Sequence, residues 1–467
     1  MTTLNFYAER IEALAQKLGL DYYSVDFEMA PPSFMLEIAS YGLPVRMRHW
    51  SFGVRYIHQW IRQTMGHSHI FEVMFPGDPC HAYLVNTNTM AENALVTAHV
   101  LGHADFAKNN QLFARFHEMA GGHIVEQAAA HANRIEQAIA KHGVEKVEAV
   151  MDAALALEPH VDTNRELHRA RYAAKAAKPD AAPEAAFQVR FATLPGESGS
   201  GRTLPEAPHQ MPIPPHPEYD LLWFIANYAP ELDEWERDIF LAVREESFYF
   251  YPVFACQIMN EGWASYWHAR LLREADFLPQ ELYLSAIKAH SDVVRPIAGD
   301  EQTALAVNPY HLGFSMWEYI VEQKGLDEAR RICREEDDFG FVRNHLNAEL
   351  ADKLGLFVFK AKQDGEIKVM SRDLNAVRES IIGNKFNYGA PRIAVTEMKN
   401  DGSLVLRHDH GDDGRGLDLE RANQVLKYVA RVWRRPVTLL TVDAKGQSRE
   451  LSTSRATKPS DASTRFT

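Results

Sequence analysis

Apolar residues recur at helical spacing from Phe6 to Gly19. Ile11, Leu14, Ala15 and Leu18 form one stripe there and Gly19 supplies a stop, so the chain is predicted to open on a helix. A turn-rich stretch with Pro31, Pro32 and Pro44 follows, and helical spacing returns from Phe52 to Met65. The pattern then changes. Phe71 to Phe75 and Ala82 to Val85 are short strand-like runs separated by Pro76-Gly-Asp-Pro, which predicts a small sheet. Thr89-Met-Ala-Glu92 fits a capping box, in which a Thr hydroxyl and a Glu three residues later satisfy exposed backbone donors. The helix it starts is expected to reach Asp105 or beyond. Further helices are predicted over 111–141, ended by Gly143, and over 144–157, ended by Pro159.

From Tyr172 to Pro217 the chain is rich in Ala, Pro, Gly and Ser, the texture of an exposed insertion or linker. Helical patterning resumes at Asp220 and continues in pieces to about Leu354. Beyond Leu356 the runs are short and alternating, with one helix from Leu419 to Trp433. The expected class is α+β: a predominantly helical main domain (residues 1–171 and 218–355) with a small sheet, a linker over 172–217, a small α+β C-terminal domain over 356–451, and a disordered Ser/Thr-rich tail over 452–467.

Composition narrows the function classes. The 467 residues carry 50 Lys and Arg against 63 Asp and Glu, a net charge of −13, which argues against a nucleic-acid binder with its basic footprint. The three cysteines lie far apart with no C-x-x-C pair, which points to neither a disulfide framework nor a Cys-rich zinc site. No basic segment leads an apolar run at the N-terminus, and no stretch approaches 18 uninterrupted apolar residues. The expectation is a cytoplasmic protein without a membrane span. Histidine stands out at 21 residues, roughly twice ordinary usage.

Two of those histidines sit in His99-Val-Leu-Gly-His103, on the capped helix. At ~3.6 residues per turn they lie on one face about 40° apart, so both rings can converge on one cation. Packed core histidines would show the same spacing, and a metal site needs a third ligand. Asn260-Glu-Gly-Trp-Ala-Ser-Tyr-Trp-His268 offers Glu261 and His268, seven residues apart and so on one helix face. A carboxylate among Trp and Tyr is costly to bury without a cation or strong donors; the alternative is a bridge from Glu261 to Arg270 or Arg237. Asp105, Glu126, His131 and His290 could support such a site, although solvated surface or core hydrogen bonding accounts for each more simply, and Glu92 faces the same way as His99 but is already explained by its cap. Glu245 and Glu246 could add carboxylates to a dinuclear iron site of the helical-bundle type.

The segment Asn260-Glu-Gly-Trp-Ala-x-Tyr is similar to the third-ligand helix of gluzincin metallopeptidases, in which two His on one helix and a Glu on a later helix hold zinc. That resemblance makes the small sheet zincin-like, with Ala82 to Val85 as the substrate-aligning edge strand. The gluzincin motif is H-E-x-x-H, whereas this chain has Val100 at the place of the general-base Glu; H-x-x-E-H is also absent, since residue 102 is Gly.

Longer words occur in order: Tyr7-Ala-Glu-Arg-Ile, Phe27-Glu-Met-Ala, His49-Trp-Ser-Phe-Gly, Ala82-Tyr-Leu-Val-Asn-Thr-Asn, His99 to Asn110, Trp235-Glu-Arg-Asp-Ile, Met259 to His268, and Asn308-Pro-Tyr-His-Leu-Gly313. Together they resemble the stage V sporulation protein R (SpoVR) family. The resemblance implies a cytoplasmic bacterial protein linked to spore-cortex formation in spore formers. In bacteria that never sporulate it implies a stress-response role beside a PrkA-type serine kinase and a von Willebrand-type partner. It carries no biochemical activity. The expected metal set is His99, His103 and Glu261, with His268 as a fourth ligand or as a group that supports one of the others, and with zinc as the divalent metal and iron as the alternative. The expected activity is metal-assisted amide or peptide hydrolysis, with Asp105, Glu92 or His268 replacing the missing base. The alternatives are a non-catalytic scaffold or regulatory adaptor, and a helical iron oxidoreductase.

Overall fold

The computed structural model describes residues 3–43, 45–64, 71–119, 124–165, 213–294, 308–361, 367–383, 385–411 and 415–454. The chain is mostly helical with small mixed sheets, and it divides into two compact units, Met1–Lys141 with Glu245–Ala390, and His142–Arg244 with Pro391–Thr467.

In the first unit, strands β1 (Val25–Ala30), β2 (Glu72–Phe75) and β3 (Cys80–Val85) form a sheet in the order β1-β3-β2. β3 pairs parallel with β1 and antiparallel with β2. This corrects the expectation for Ala82 to Val85: that strand is central, and β2 is the edge next to it. The reason is β1, which lies in a segment whose prolines hid a strand from the local pattern. The capping box forms as read, with Thr89 Oγ1 accepting from the Glu92 N–H at 3.2 Å and Glu92 Oε2 accepting from the Thr89 N–H at 2.6 Å. The helix it starts, Met90–Asn109, is buried on all sides from Asn93 to Ala107. It packs against helix Gln257–Glu274, which in turn packs against helix Pro309–Lys324. Trp263, Trp267 and Trp317 fill the space between them, with the rings of Trp263 and Trp317 4.8 Å apart.

The boundary expected near residue 355 falls instead at 390. Leu356, Val358 and Leu374 pack on the core that holds Trp317, and Val377 and Ile382 are buried within it, so this stretch, with the hairpin of β4 (Val358–Ala361) and β5 (Ile367–Ser371), belongs to the first unit. The second unit joins helix Val144–Ala156 to helix Leu419–Trp433 and to a four-stranded sheet of β6 (Ile393–Met398), β7 (Leu404–His408), β8 (Val437–Val442) and β9 (Ser448–Thr453). Glu218 pairs with Val395 through both backbone hydrogen bonds, which ties the segment before 245 to this sheet rather than to the helical core. Such long-range pairings leave no trace in local periodicity. The expected linker lies largely outside the described residues, and the expected tail begins within β9, its remainder also outside them.

Candidate metal centre

Close helix packing assembles the site. A Cβ on Gly102, beside His103, would stand 2.7 Å from Ala264 Cα. A Cβ on Gly262, beside Glu261, would overlap the Gly313 backbone at 2.3 Å. Backbones that touch in this way draw the neighbouring side chains of three helices into one space. Asp338 fixes the middle helix by accepting from the Ile258 and Met259 N–H groups, each at 2.9 Å, with Lys385 Nζ 3.1 Å from the same carboxylate. Trp317 adds its indole N–H to the Met259 carbonyl at 3.0 Å.

His99, His103 and Glu261 project into this space, each offering one ligand atom within 4.8 Å of the others. Nε2 of His99 and of His103 stand 3.7 and 3.4 Å from Glu261 Oε2. That oxygen is buried with no hydrogen-bond partner among the described residues. His103 Nδ1 donates to Asn260 Oδ1 at 2.8 Å, so a neutral His103 turns its Nε2 lone pair toward the carboxylate. Two acceptors facing each other in a buried space are costly unless a proton or a cation stands between them. Two imidazoles and a carboxylate, each imidazole held through its second nitrogen, form a donor set that suits a divalent cation.

The charges agree with this geometry. Burial alone would push the Glu261 carboxyl up, but His103 and His99 beside it hold it well below the usual carboxylate range. Burial works against charge on His103, and Glu261 overcomes it, so its pKa is raised. His99 is pushed down to about 4 by burial and then by His103.

His268, expected either as a fourth ligand or as a support for one, has the geometry of the support. Its Nδ1 lies 2.8 Å from His99 Nδ1 and its Nε2 lies 2.5 Å from His290 Nδ1, so both ring nitrogens are engaged and it stands behind His99. Burial, with His99 next, keeps His268 well below its ordinary pKa. Asp105 is turned away from the site. Two residues past His103 is about 200° around the helix, and its oxygens accept from the Asp21 N–H at 2.7 Å and the Trp263 indole at 2.8 Å. Glu92 is occupied in the cap. Arg270 pairs with Glu274 at 3.0 Å and Arg237 with Asn227 at 3.0 Å. Glu245 and Glu246 pair with His131.

Two residues at the site were missed in the sequence. Glu72, on edge strand β2, brings Oε1 to 3.9 Å from His99 Nε2; burial pushes its carboxyl up to about 7, with His103 working against the shift and Glu261 with it. Tyr310 lies over His99 with ring centroids 6.1 Å apart, and Glu261, then burial, raises its phenol well above its ordinary pKa. Neither shares a helix face with the histidines, so no spacing pointed to them. Tyr310 does sit within Asn308-Pro-Tyr-His, one of the words that carry the family resemblance.

Comparison with known proteins agrees with those words. The uncharacterized protein YcgB of Escherichia coli (strain K12) is 30% identical over 480 residues, covering 92% of this chain and 90% of that one. No solved structure matches the chain. Residues 1–389 match the family described as SpoVR like protein and residues 391–444 match the SpoVR-like C-terminal domain. The chain belongs to the SpoVR family.

Proposed function

We propose that this SpoVR-family protein, linked by its family to sporulation, holds one divalent metal ion at His99, His103 and Glu261 and uses it to hydrolyse amide or peptide bonds. The observation that carries the reading is Glu261 Oε2, a buried carboxylate oxygen with no hydrogen-bond partner among the described residues and two imidazole nitrogens 3.4 and 3.7 Å away. Zinc suits this donor set, with iron as the alternative. When bound, such a metal acidifies a water and polarises a carbonyl.

The chain's own residues divide the remaining work. His268 and Asn260 orient the two imidazoles through their Nδ1 atoms. With Val100 in place of a gluzincin base, and with Asp105 and Glu92 both engaged elsewhere, Glu72 is the carboxylate placed to accept a proton from a water beside His99. Tyr310 offers a phenol next to Glu261, its ring over that of His99. β2, an edge strand, lies next to the site, as the substrate-aligning strand does in zincins, and this is the sense in which the sheet is read as zincin-like. A cell-wall peptide is the substrate class in view, in keeping with the cortex link; a PrkA-type kinase and a von Willebrand-type protein are the pathway partners in view, and the cytoplasm the location.

Metal-replete protein tested against peptidoglycan-derived peptides should show turnover that falls by about 10²–10⁴-fold in Glu72→Gln and is absent in Glu261→Ala. Turnover unchanged in Glu261→Ala would contradict the proposal. A second reading, a non-catalytic scaffold with a structural metal, is favoured by Val100, which is fully buried where the base would stand; one equivalent of metal without turnover would select it.

A further inference from the structure

Helix Trp50–Thr64 is packed inside out. At ~100° per residue, Phe52, Tyr56, Gln59 and Gln63 share one arc of about 60°, and Trp50, Val54, Ile57 and Ile61 share an arc of similar width on the opposite side. The first arc faces the protein. Phe52 is buried against Tyr41, with ring centroids 5.1 Å apart, and Gln59 Nε2 donates to the Ala39 carbonyl at 3.1 Å. Oε1 of Gln59 and of Gln63 are buried without a hydrogen-bond partner among the described residues. The second arc faces outward, with Trp50 55%, Val54 45%, Ile57 57% and Ile61 42% exposed, and Trp60 beside it 52% exposed. A helix that turns half-buried glutamines inward and exposes Trp and Ile is shaped for something outside its own fold.

Charge indicates what that is. From Ile38 to Phe71 the chain has no Asp or Glu, where its average density would place about five. The same stretch carries Arg46, Arg48, Arg55 and Arg62. Arg46 is consumed by Glu246, but Arg48, Arg55 and Arg62 are exposed; exposed His58, then Arg62, then Arg55 run along one side of the apolar stripe, with the Arg55 guanidinium 5.4 Å from the centroid of the Phe52 ring. A second copy of this face would set arginine against arginine. A coiled-coil partner would need apolar heptads sustained over about three or four repeats, and this stripe spans fewer than two.

We propose that helix Trp50–Thr64 docks the protein on an anionic lipid surface, lying in the plane of the interface with Trp50, Val54, Ile57, Trp60 and Ile61 among the acyl chains and Arg55 and Arg62 at the headgroups. No helix among the described residues is long and apolar enough to cross a membrane, so the attachment is peripheral. Tryptophan at both ends of the stripe suits this boundary, because its ring is apolar and its N–H polar.

The test is co-sedimentation of the full chain with phosphatidylcholine vesicles that do or do not contain phosphatidylglycerol, with tryptophan emission as a second readout. Wild-type protein should bind the anionic vesicles with a blue shift, and binding should weaken ~tenfold or more in Ile57→Asp with Ile61→Asp. Arg55→Glu with Arg62→Glu should remove the preference for anionic lipid. All four positions are exposed, and unchanged circular dichroism and thermal unfolding would establish that the variants fold. Wild-type protein that ignores anionic vesicles, variants that bind as well as wild type, or a stable dimer that Ile57→Asp dissociates would each overturn the proposal.

Discussion

Two buried clusters of histidine and glutamate lie in the same unit, and they differ in one respect. In the first, Glu246 places one oxygen 2.5 Å from Arg46 Nε and the other 3.2 Å from His131 Nδ1, and His131 Nε2 lies 3.0 Å from Glu245. Two cations meet two carboxylates there, and every oxygen of Glu246 and nitrogen of His131 is paired. In the second, His99 and His103 turn their Nε2 atoms toward Glu261, whose Oε2 has no hydrogen-bond partner among the described residues. The first is closed and the second is open. Arg46 completes the first cluster and nothing comparable completes the second; what distinguishes the cluster proposed to hold a metal from the structural one is a donor set left incomplete.

The sharpest way to break this distinction is to remove one carboxylate from each cluster. Glu246→Ala strands Arg46 and His131 in the interior and should cost about 3–5 kcal/mol of unfolding free energy. Glu261→Ala in metal-free protein removes an oxygen with no hydrogen-bond partner among the described residues, so that its attraction to His103 and His99 at 3.4 and 3.7 Å is what is lost, and it should cost less, about 1–2 kcal/mol. Urea denaturation of both variants measures the difference, and equal losses would erase it. Next in size is Gly262→Ala. Its new methyl meets the Gly313 backbone, which cannot move aside as a flexible side chain would, and thermal unfolding should report a loss of about 3 kcal/mol together with weaker metal binding. A loss of stability with metal affinity intact would show that the helix contact does not set the ligand geometry.

His268→Phe acts on the open cluster from behind. It should keep the metal stoichiometry and lower affinity by about 10–100-fold, as expected when the partner of a ligating imidazole is lost. Complete loss of metal would instead make His268 a ligand. The smallest effect concerns pH and belongs to the closed cluster. Burial works against charge on His131, but its bonds to Glu245 and Glu246 raise its pKa to about 9. A histidine whose folded pKa exceeds its unfolded value, about 6.5, gives stability that is complete below pH 6.5 and lost as pH rises through about 9. His131→Gln should flatten the stability profile across that window, and a profile as steep as that of wild type would remove His131 from the cluster's charge balance.

The two clusters were unequally legible in the sequence. His99, His103 and Glu261 lie in words with strong local structure, a capped helix and a Trp-rich helix, and helical geometry sufficed to bring the two imidazoles together. Glu72 stayed hidden because it reaches the site from a strand, across a register that only folding reveals. For His268 the sequence shows the helix face but leaves open whether it is a fourth ligand or a support behind one, since spacing gives direction and not which nitrogen meets which partner. Asp105 shows the reverse failure: its proximity in sequence to His103 concealed a turn of about 200° toward Trp263. At the level of the fold, a helix near Leu419 to Trp433 was legible amid the short alternating runs, and it spans those residues. The boundary at 390 could not, because Val377 and Ile382 join the core around Trp317 through contacts between distant parts of the chain.

The open cluster stands or falls on metal content. Elemental analysis of the purified full chain, carrying no metal-binding tag, should find one equivalent of zinc or iron in the wild type and none in His99→Ala or Glu261→Ala. Wild-type protein without metal, or both variants retaining a full equivalent, would contradict it.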